Sequence, residues 1–215
     1  MLTGAIFDVD GTLLDSMHVW RGLGEGYLHR KGIAAEEGLA DKLYPMSLEE
    51  SSSYLKQQYS LTDNVEKIVS DTVAMIEEFY RDEVSLKPGV VSYLNELRKQ
   101  GIPMAIATSG NRDILVKALE RLQIKDYFQH ILTCSDYGVS KREAAIYVAA
   151  AEKLGSKPAQ TLVFEDVLHG ILSARSAGFI TIAVEDFSNV RDRKLIRNNS
   201  DYYITDFTDP VLKTI

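Results

Sequence analysis

Asp8 and Asp10 stand one residue apart where the apolar run 5–9 gives way to Gly11-Thr12. Burial would favour Ile, Val or Thr at such a strand end, so the carboxylates need another reason. Three further polar sets follow other apolar runs: Thr108-Ser109, then Lys141, then Glu165-Asp166. Four carboxylates brought together repel strongly, a like-charge pair at about 4 Å being worth roughly 4 kcal/mol at an effective dielectric near 20. One Lys does not cancel that, so either some are protonated or a cation sits among them. Oxygen-only ligands suit Mg²⁺, and the lack of His or Cys in the set disfavours zinc.

The remaining groups supply the complement of such a cation. Thr108-Ser109-Gly110-Asn111 joins a strand to the start of a helix, where a hydroxyl and free backbone N–H groups can face an anion. Lys141 adds a fixed positive charge. A phosphoryl group fits between metal, Lys141, Thr108 and backbone amides, with Asp8 as in-line nucleophile. Asp10, at i+2, shares the face of Asp8 if the strand continues through both, and can protonate a leaving alkoxide and then activate water.

Convergence of these residues requires a parallel sheet, in which all strand ends of one sense share one edge. Apolar runs of strand length occur at 5–9, 104–107, 130–133, 161–164, 180–184 and 202–204, separated by helical patterns. Short continuous apolar strands alternating with helices predict an α/β, doubly wound, Rossmann-like sheet covered on both faces. After Pro88-Gly89, Val90, Tyr93, Leu94 and Leu97 recur at helical spacing until Gly101 and Pro103 stop them. Gly155 and Gly178 likewise close helices over 144–154 and 168–177.

Between the first strand and Pro88 only helical patterns appear, over 16–31, 36–44, 48–59 and 64–80. The expected organisation is therefore a core of residues 1–15 and 85–215 with an inserted helical domain of residues 16–84. Ligands in open α/β sheets bind beyond the carboxyl ends of the strands, so an insertion at that end is expected to act as a lid. Gly22, Gly24 and Gly26 weaken its first helix by about 0.8–1 kcal/mol each relative to Ala. They do not complete a Gly-x-Gly-x-x-Gly loop, because position 29 is His. A bent or close-packed helix is expected there.

The composition narrows the classes of partner. A formal charge of −7 disfavours nucleic acid and anionic membranes, though a few local cations and a metal can still hold a small phosphorylated metabolite. Cys134 is the only cysteine, which excludes an intramolecular disulfide and a multi-cysteine zinc site. No run approaches the roughly 18 apolar residues of a membrane span. No signal segment is evident, and a cytoplasmic protein is expected. The sequence sets no oligomeric state and is compatible with a monomer.

With these residues in place a resemblance emerges. Asp8-Val9-Asp10-Gly11-Thr12 is similar to the first motif of the haloacid dehalogenase superfamily, Thr108 to its second, Lys141 to its third and Glu165-Asp166 to its fourth. The likeness extends through 86–111 and 163–178 and covers nearly all of the chain outside the insertion. It implies a Rossmann-like core, an α-helical C1 cap, Mg²⁺ and an aspartyl-phosphate intermediate. By the same resemblance, Asp8 is nucleophile and metal ligand, and Asp10 is acid and base while its backbone carbonyl ligates metal. Thr108 and Lys141 hold the phosphoryl group, Asp166 ligates Mg²⁺, and Glu165 supports the metal site.

Within that superfamily the chain most resembles the phosphatases related to β-phosphoglucomutase, which share the Phe-Glu-Asp form of the fourth motif. The usual Lys-Pro-x-Pro-Asp-Ile-Tyr run appears here as Lys141-Arg142-Glu143-Ala144-Ala145-Ile146-Tyr147. Lys141 survives while both prolines and the aspartate are lost, which leaves the loop conformation open. The mutases place a cap His where this chain has Trp20, with His18 two residues earlier, and use a cap Arg absent from Pro45-Met46-Ser47-Leu48-Glu49-Glu50. The expected activity is therefore a Mg²⁺-dependent phosphatase of a small phosphate monoester, such as a sugar phosphate, with His18 and Trp20 as candidate substrate contacts. A phosphosugar mutase is the alternative enzyme, and a phospho-acceptor signalling module the alternative of another class.

Overall fold

The computed structural model describes residues 1–215. Strand β1 (Gly4–Phe7) leads into four helices, α1 (Met17–Arg30), α2 (Leu39–Leu43), α3 (Leu48–Gln58) and α4 (Val65–Asp82). The chain then alternates: α5 (Val90–Lys99), β2 (Met104–Thr108), α6 (Arg112–Arg121), β3 (His130–Thr133), α7 (Cys134–Tyr137), α8 (Ala145–Leu154) and β4 (Thr161–Glu165). It ends with α9 (Leu168–Ser176), β5 (Ile180–Val184), α10 (Arg193–Asn199) and β6 (Tyr202–Ile204). Two compact units result, Met1–Asp15 with Val84–Ile215, and Ser16–Glu83. No helix is long and apolar enough to cross a membrane.

The first unit is a six-stranded sheet in the order β3-β2-β1-β4-β5-β6, with every neighbouring pair parallel. This is the α/β fold expected from the alternating apolar runs. Every residue of β1, β2 and β4 is buried, as both faces of the central strands are covered. On one face Phe7 stacks on Phe164 with ring centroids 4.5 Å apart, and Tyr93 and Phe207 close around the pair. On the other, Ile6 and Val163 pack with Ile146, Tyr147 and Ala150 of α8.

Strand β1 stops two residues earlier than its apolar run predicts. The Asp8 N–H still donates to the Phe164 carbonyl at 3.0 Å, and the chain then curls. The Val9 carbonyl accepts from Thr12, Leu13 and Leu14, and Gly11 holds φ at +81°, a conformation that costs glycine nothing. Asp8 and Asp10 therefore owe their relative placement to this turn and not to a strand pleat.

The second unit is all helical, around Tyr27, Leu28, Leu39, Leu43, Leu55 and Ile68. Ser47 and Glu50 form a reciprocal capping box at the start of α3, and the Asn64 side chain caps α4. The helix expected over 36–44 shortens to α2, because Gly38 adopts φ +79° and the Glu36 N–H donates instead to the Tyr59 hydroxyl at 2.9 Å. Two of the α1 glycines serve close packing. A Cβ on Gly24 would collide with Leu43, and one on Gly26 would lie 2.9 Å from Met75, whereas Gly22 faces open space.

Candidate active site

Strand order reverses direction at β1, which lies between β2 and β4. Such a switch point opens a crevice at the carboxyl ends of the strands. Asp8 follows β1, Thr108 ends β2, Glu165 ends β4 and Asp166 comes next. The carboxylates of Asp8, Glu165 and Asp166 lie within 4.8 Å of one another, and all three residues are at most 5% exposed. Lys141, from the loop before α8, is equally buried and reaches into the group. Its Nζ donates to Asp8 Oδ1 and, at 2.6 Å, to Glu165 Oε1.

Glu165 is fully engaged by protein. Its Oε1 accepts from Lys141 and from the Tyr147 hydroxyl at 2.8 Å; its Oε2 accepts from the N–H groups of Asp166 and Val167 at 3.1 and 3.3 Å. That pattern gives Glu165 the work of orienting Lys141 and the backbone around Asp166. Space for its carboxyl comes from Gly170, where a Cβ would lie 2.6 Å from Glu165 Cδ and 2.9 Å from the Tyr147 hydroxyl. Ser173 of α9 donates to the Lys141 carbonyl at 2.7 Å, fixing the loop that lacks the prolines. Asp166 accepts from Thr12 Oγ1 at 3.5 Å and from Asn189 Nδ2 at 2.7 Å.

The electrostatics follow from burial. Desolvation raises the Asp8 carboxyl to about 7 despite the attraction of Lys141, with Glu165 and Asp10 adding to the rise. Asp166 is pushed well above the usual carboxylate range by burial, then by Asp8 and Glu165. Burial alone would lower Lys141, but Asp8 and Glu165 outweigh it and raise the ammonium. Three carboxyls against one ammonium cannot all ionise without a further cation, which is why Asp8 and Asp166 are pushed toward their protonated forms. A hard divalent cation fits the all-oxygen donor set, and Asp8 with Asp166 could hold it.

The other predicted residues take distinct places. Asp10 leans toward the loop after β2: a Cβ on Gly110 would come within 3.2 Å of its Oδ2. Thr108 is buried, and its hydroxyl oxygen accepts from the Gly110 N–H at 3.0 Å. It does not cap α6; Asn111 does, accepting from the N–H groups of Asp113 and Ile114. Ser109 is exposed, with its hydroxyl 3.4 Å from Cys134 Sγ. His18 and Trp20 belong to the helical unit. His18 lies edge-on to Phe79, and the Trp20 indole N–H donates to the Tyr80 hydroxyl at 3.1 Å.

Asp8, Lys141, Glu165 and Asp166 thus share one cluster. Sequence reasoning assigned no role to Gly170, Ser173 and Asn189, and named Tyr147 only as the last residue of the run that begins at Lys141. A glycine in the first turn of α9, and Tyr147 at the end of the Lys141 run, were the local signals among them. The others acquire their partners only through tertiary packing.

Comparison with known proteins identifies the family and the fold. Residues 5–184 match the family model described as haloacid dehalogenase-like hydrolase. Hexitol phosphatase A of Escherichia coli (strain K12) is 28% identical over 184 residues, covering 84% of this chain and 82% of that protein. The phosphorylated carbohydrates phosphatase of Thermotoga maritima is 26% identical over 190 residues, with 82% of each covered. Among solved structures, a Thermotoga maritima protein provisionally named a β-phosphoglucomutase superposes with a TM-score of 0.89 at 23% identity over 100% of both chains. At that identity the likeness speaks for the fold.

Proposed function

This chain belongs to the haloacid dehalogenase-like hydrolases and is a phosphatase of that family; from that premise we propose that it hydrolyses a small phosphate monoester, a sugar phosphate or similar metabolite, through phosphorylated Asp8 with Mg²⁺ as cofactor. The observation that carries this reading is the buried Asp8 carboxylate, paired with Lys141 and set within 4.8 Å of Glu165 and Asp166. Two relatives named for phosphorylated carbohydrates and hexitol phosphate hydrolysis support the substrate class.

In the first step an Asp8 oxygen attacks phosphorus while the bond from phosphorus to the ester oxygen breaks, and Asp10 gives its proton to the departing alkoxide. In the second, Asp10 takes a proton from water, whose oxygen attacks phosphorus and displaces the Asp8 carboxylate. Lys141 neutralises phosphoryl oxygens throughout, and Thr108 with the backbone amides of its loop is assigned to hold them. Mg²⁺, held by Asp8, Asp166 and the Asp10 carbonyl with Glu165 in support, would add charge stabilisation and keep Asp8 ionised. Substrate choice is assigned to the helical unit, residues 16–84, with His18 and Trp20 as candidates.

The test is phosphate release from a panel of phosphomonoesters, with Mg²⁺ and with chelator. Release that needs Mg²⁺ and disappears in Asp8→Asn is the expected result. No release from any member, or release unchanged in Asp8→Asn, defeats the reading.

A further inference from the structure

The loop after β5 touches the acidic cluster at one point. Asn189 Nδ2 donates to Asp166 Oδ2 at 2.7 Å. The nitrogen end of the amide faces the carboxyl, and a donor there suits the ionised form that a cation would bind, since an ionised carboxylate only accepts. Asn189 itself is half-buried, and the loop that carries it is anchored more firmly than a surface loop requires. Asp186, with a side chain 1% exposed, pairs with Lys87 Nζ at 2.9 Å, and Lys87 Nζ also donates to the Glu185 carbonyl at 2.6 Å. The second Asp186 oxygen accepts from the Ser188 N–H at 2.9 Å and the Ser188 hydroxyl at 2.6 Å. Lys87 is tied in turn to the segment leaving β1, since its N–H donates to the Leu13 carbonyl at 2.9 Å.

A buried ion pair has a large desolvation cost and contributes little net stability. Here it fixes three residues of backbone, and Asn189 is the side chain that this fixing delivers to the cluster. The chemistry of the contact matters as well. A neutral amide orients a carboxylate without cancelling its charge, whereas a Lys or Arg at the same place would compete with a cation for Asp166.

We propose that Asn189 is a positioning residue for Asp166, fixing one carboxylate oxygen so that the remaining acceptor capacity is presented to a divalent cation. The inference rests on the reading that such a cation is bound by Asp8 and Asp166. Partners that orient metal ligands typically change metal affinity by about 10–100-fold when removed.

Calorimetric titration of Mg²⁺ into the full-length protein without substrate tests this, comparing wild type, Asn189→Leu and Asn189→Gln, with metal-free melting temperatures alongside. Asn189→Leu is expected to weaken Mg²⁺ binding about 10–100-fold with little change in metal-free melting, and Asn189→Gln to recover part of the loss. Unchanged Mg²⁺ affinity in Asn189→Leu, or a lowered melting temperature with no change in affinity, overturns the positioning role. Absence of Mg²⁺ uptake by wild type overturns the metal reading beneath it, and the two failures are thereby told apart.

Discussion

Asp8 is held where its ionised form is costly, and that cost separates its chemical role from its structural one. Replacing it by Asn removes a buried negative charge while keeping shape and hydrogen-bonding capacity. Asp8→Asn is therefore expected to abolish turnover and, at about pH 8 without metal, to melt higher than wild type. For a chain of this size each kcal/mol moves the midpoint by about 2–4 °C. Equal or lower melting of the variant would show that the Lys141 pairing outweighs desolvation. Lys141→Met acts in the opposite sense. It leaves Asp8 and Glu165 without their ammonium, and a broken buried pair costs about 3–5 kcal/mol. The variant should lose both turnover and metal-free stability, and partial recovery of stability at about pH 5, below the raised value of Asp8, identifies its stranded charge as a cause.

Elements position these residues, and two glycines on helices separate fold from site. Gly22 in α1 faces open space, so Gly22→Ala should raise stability by about 0.5–1 kcal/mol with unchanged kcat and KM. Gly170 in α9 has the Glu165 carboxyl and Tyr147 hydroxyl against it, so Gly170→Ala must displace one of them. It is expected to lower kcat by about 10–100-fold, the range seen when groups that orient metal sites are disturbed. Normal kinetics in that variant would mean that Glu165 relaxes freely. This contrast also marks what the sequence carried. The strands were legible because buried parallel strands are written as short continuous apolar runs. Asp8, Glu165 and Asp166 stand out because they fall at the ends of those runs, whereas Lys141, in the loop before α8, stands out only through the motif it resembles. The exit from β1 was misread, since the hydrogen bonds to the Val9 carbonyl that end the strand have no local signature. Asn189 and Ser173 were illegible for a related reason: each looks like an ordinary polar residue until tertiary packing supplies its partner.

At the scale of the molecule, one chain forms a parallel sheet whose order reverses at β1 and an inserted helical unit, and three buried carboxyl groups are gathered at the switch point. The linkage between pH, metal and stability follows. Burial raises the Asp8 carboxyl from its ordinary value of 3.8 to about 7 in the folded state. Its contribution to stability is therefore present below pH about 4 and lost as pH rises through about 7, and Asp166 shifts in the same direction. A bound cation favours the ionised forms and removes that loss. The stabilisation by saturating Mg²⁺ should accordingly be larger at about pH 8 than at about pH 5, reaching about 2.7 kcal/mol when the metal is at 100 times its Kd. A Mg²⁺ effect that is flat with pH would contradict the assignment of these carboxylates. The central claim is that Asp8 attacks phosphorus, and it is tested most directly by acid-quenching a single turnover on the millisecond scale and mapping the quenched protein by mass spectrometry. The account predicts a transient gain of one phosphoryl group on the peptide bearing Asp8, appearing before free phosphate and absent in Asp8→Asn. Free phosphate released with no phosphorylated peptide at any time would contradict it.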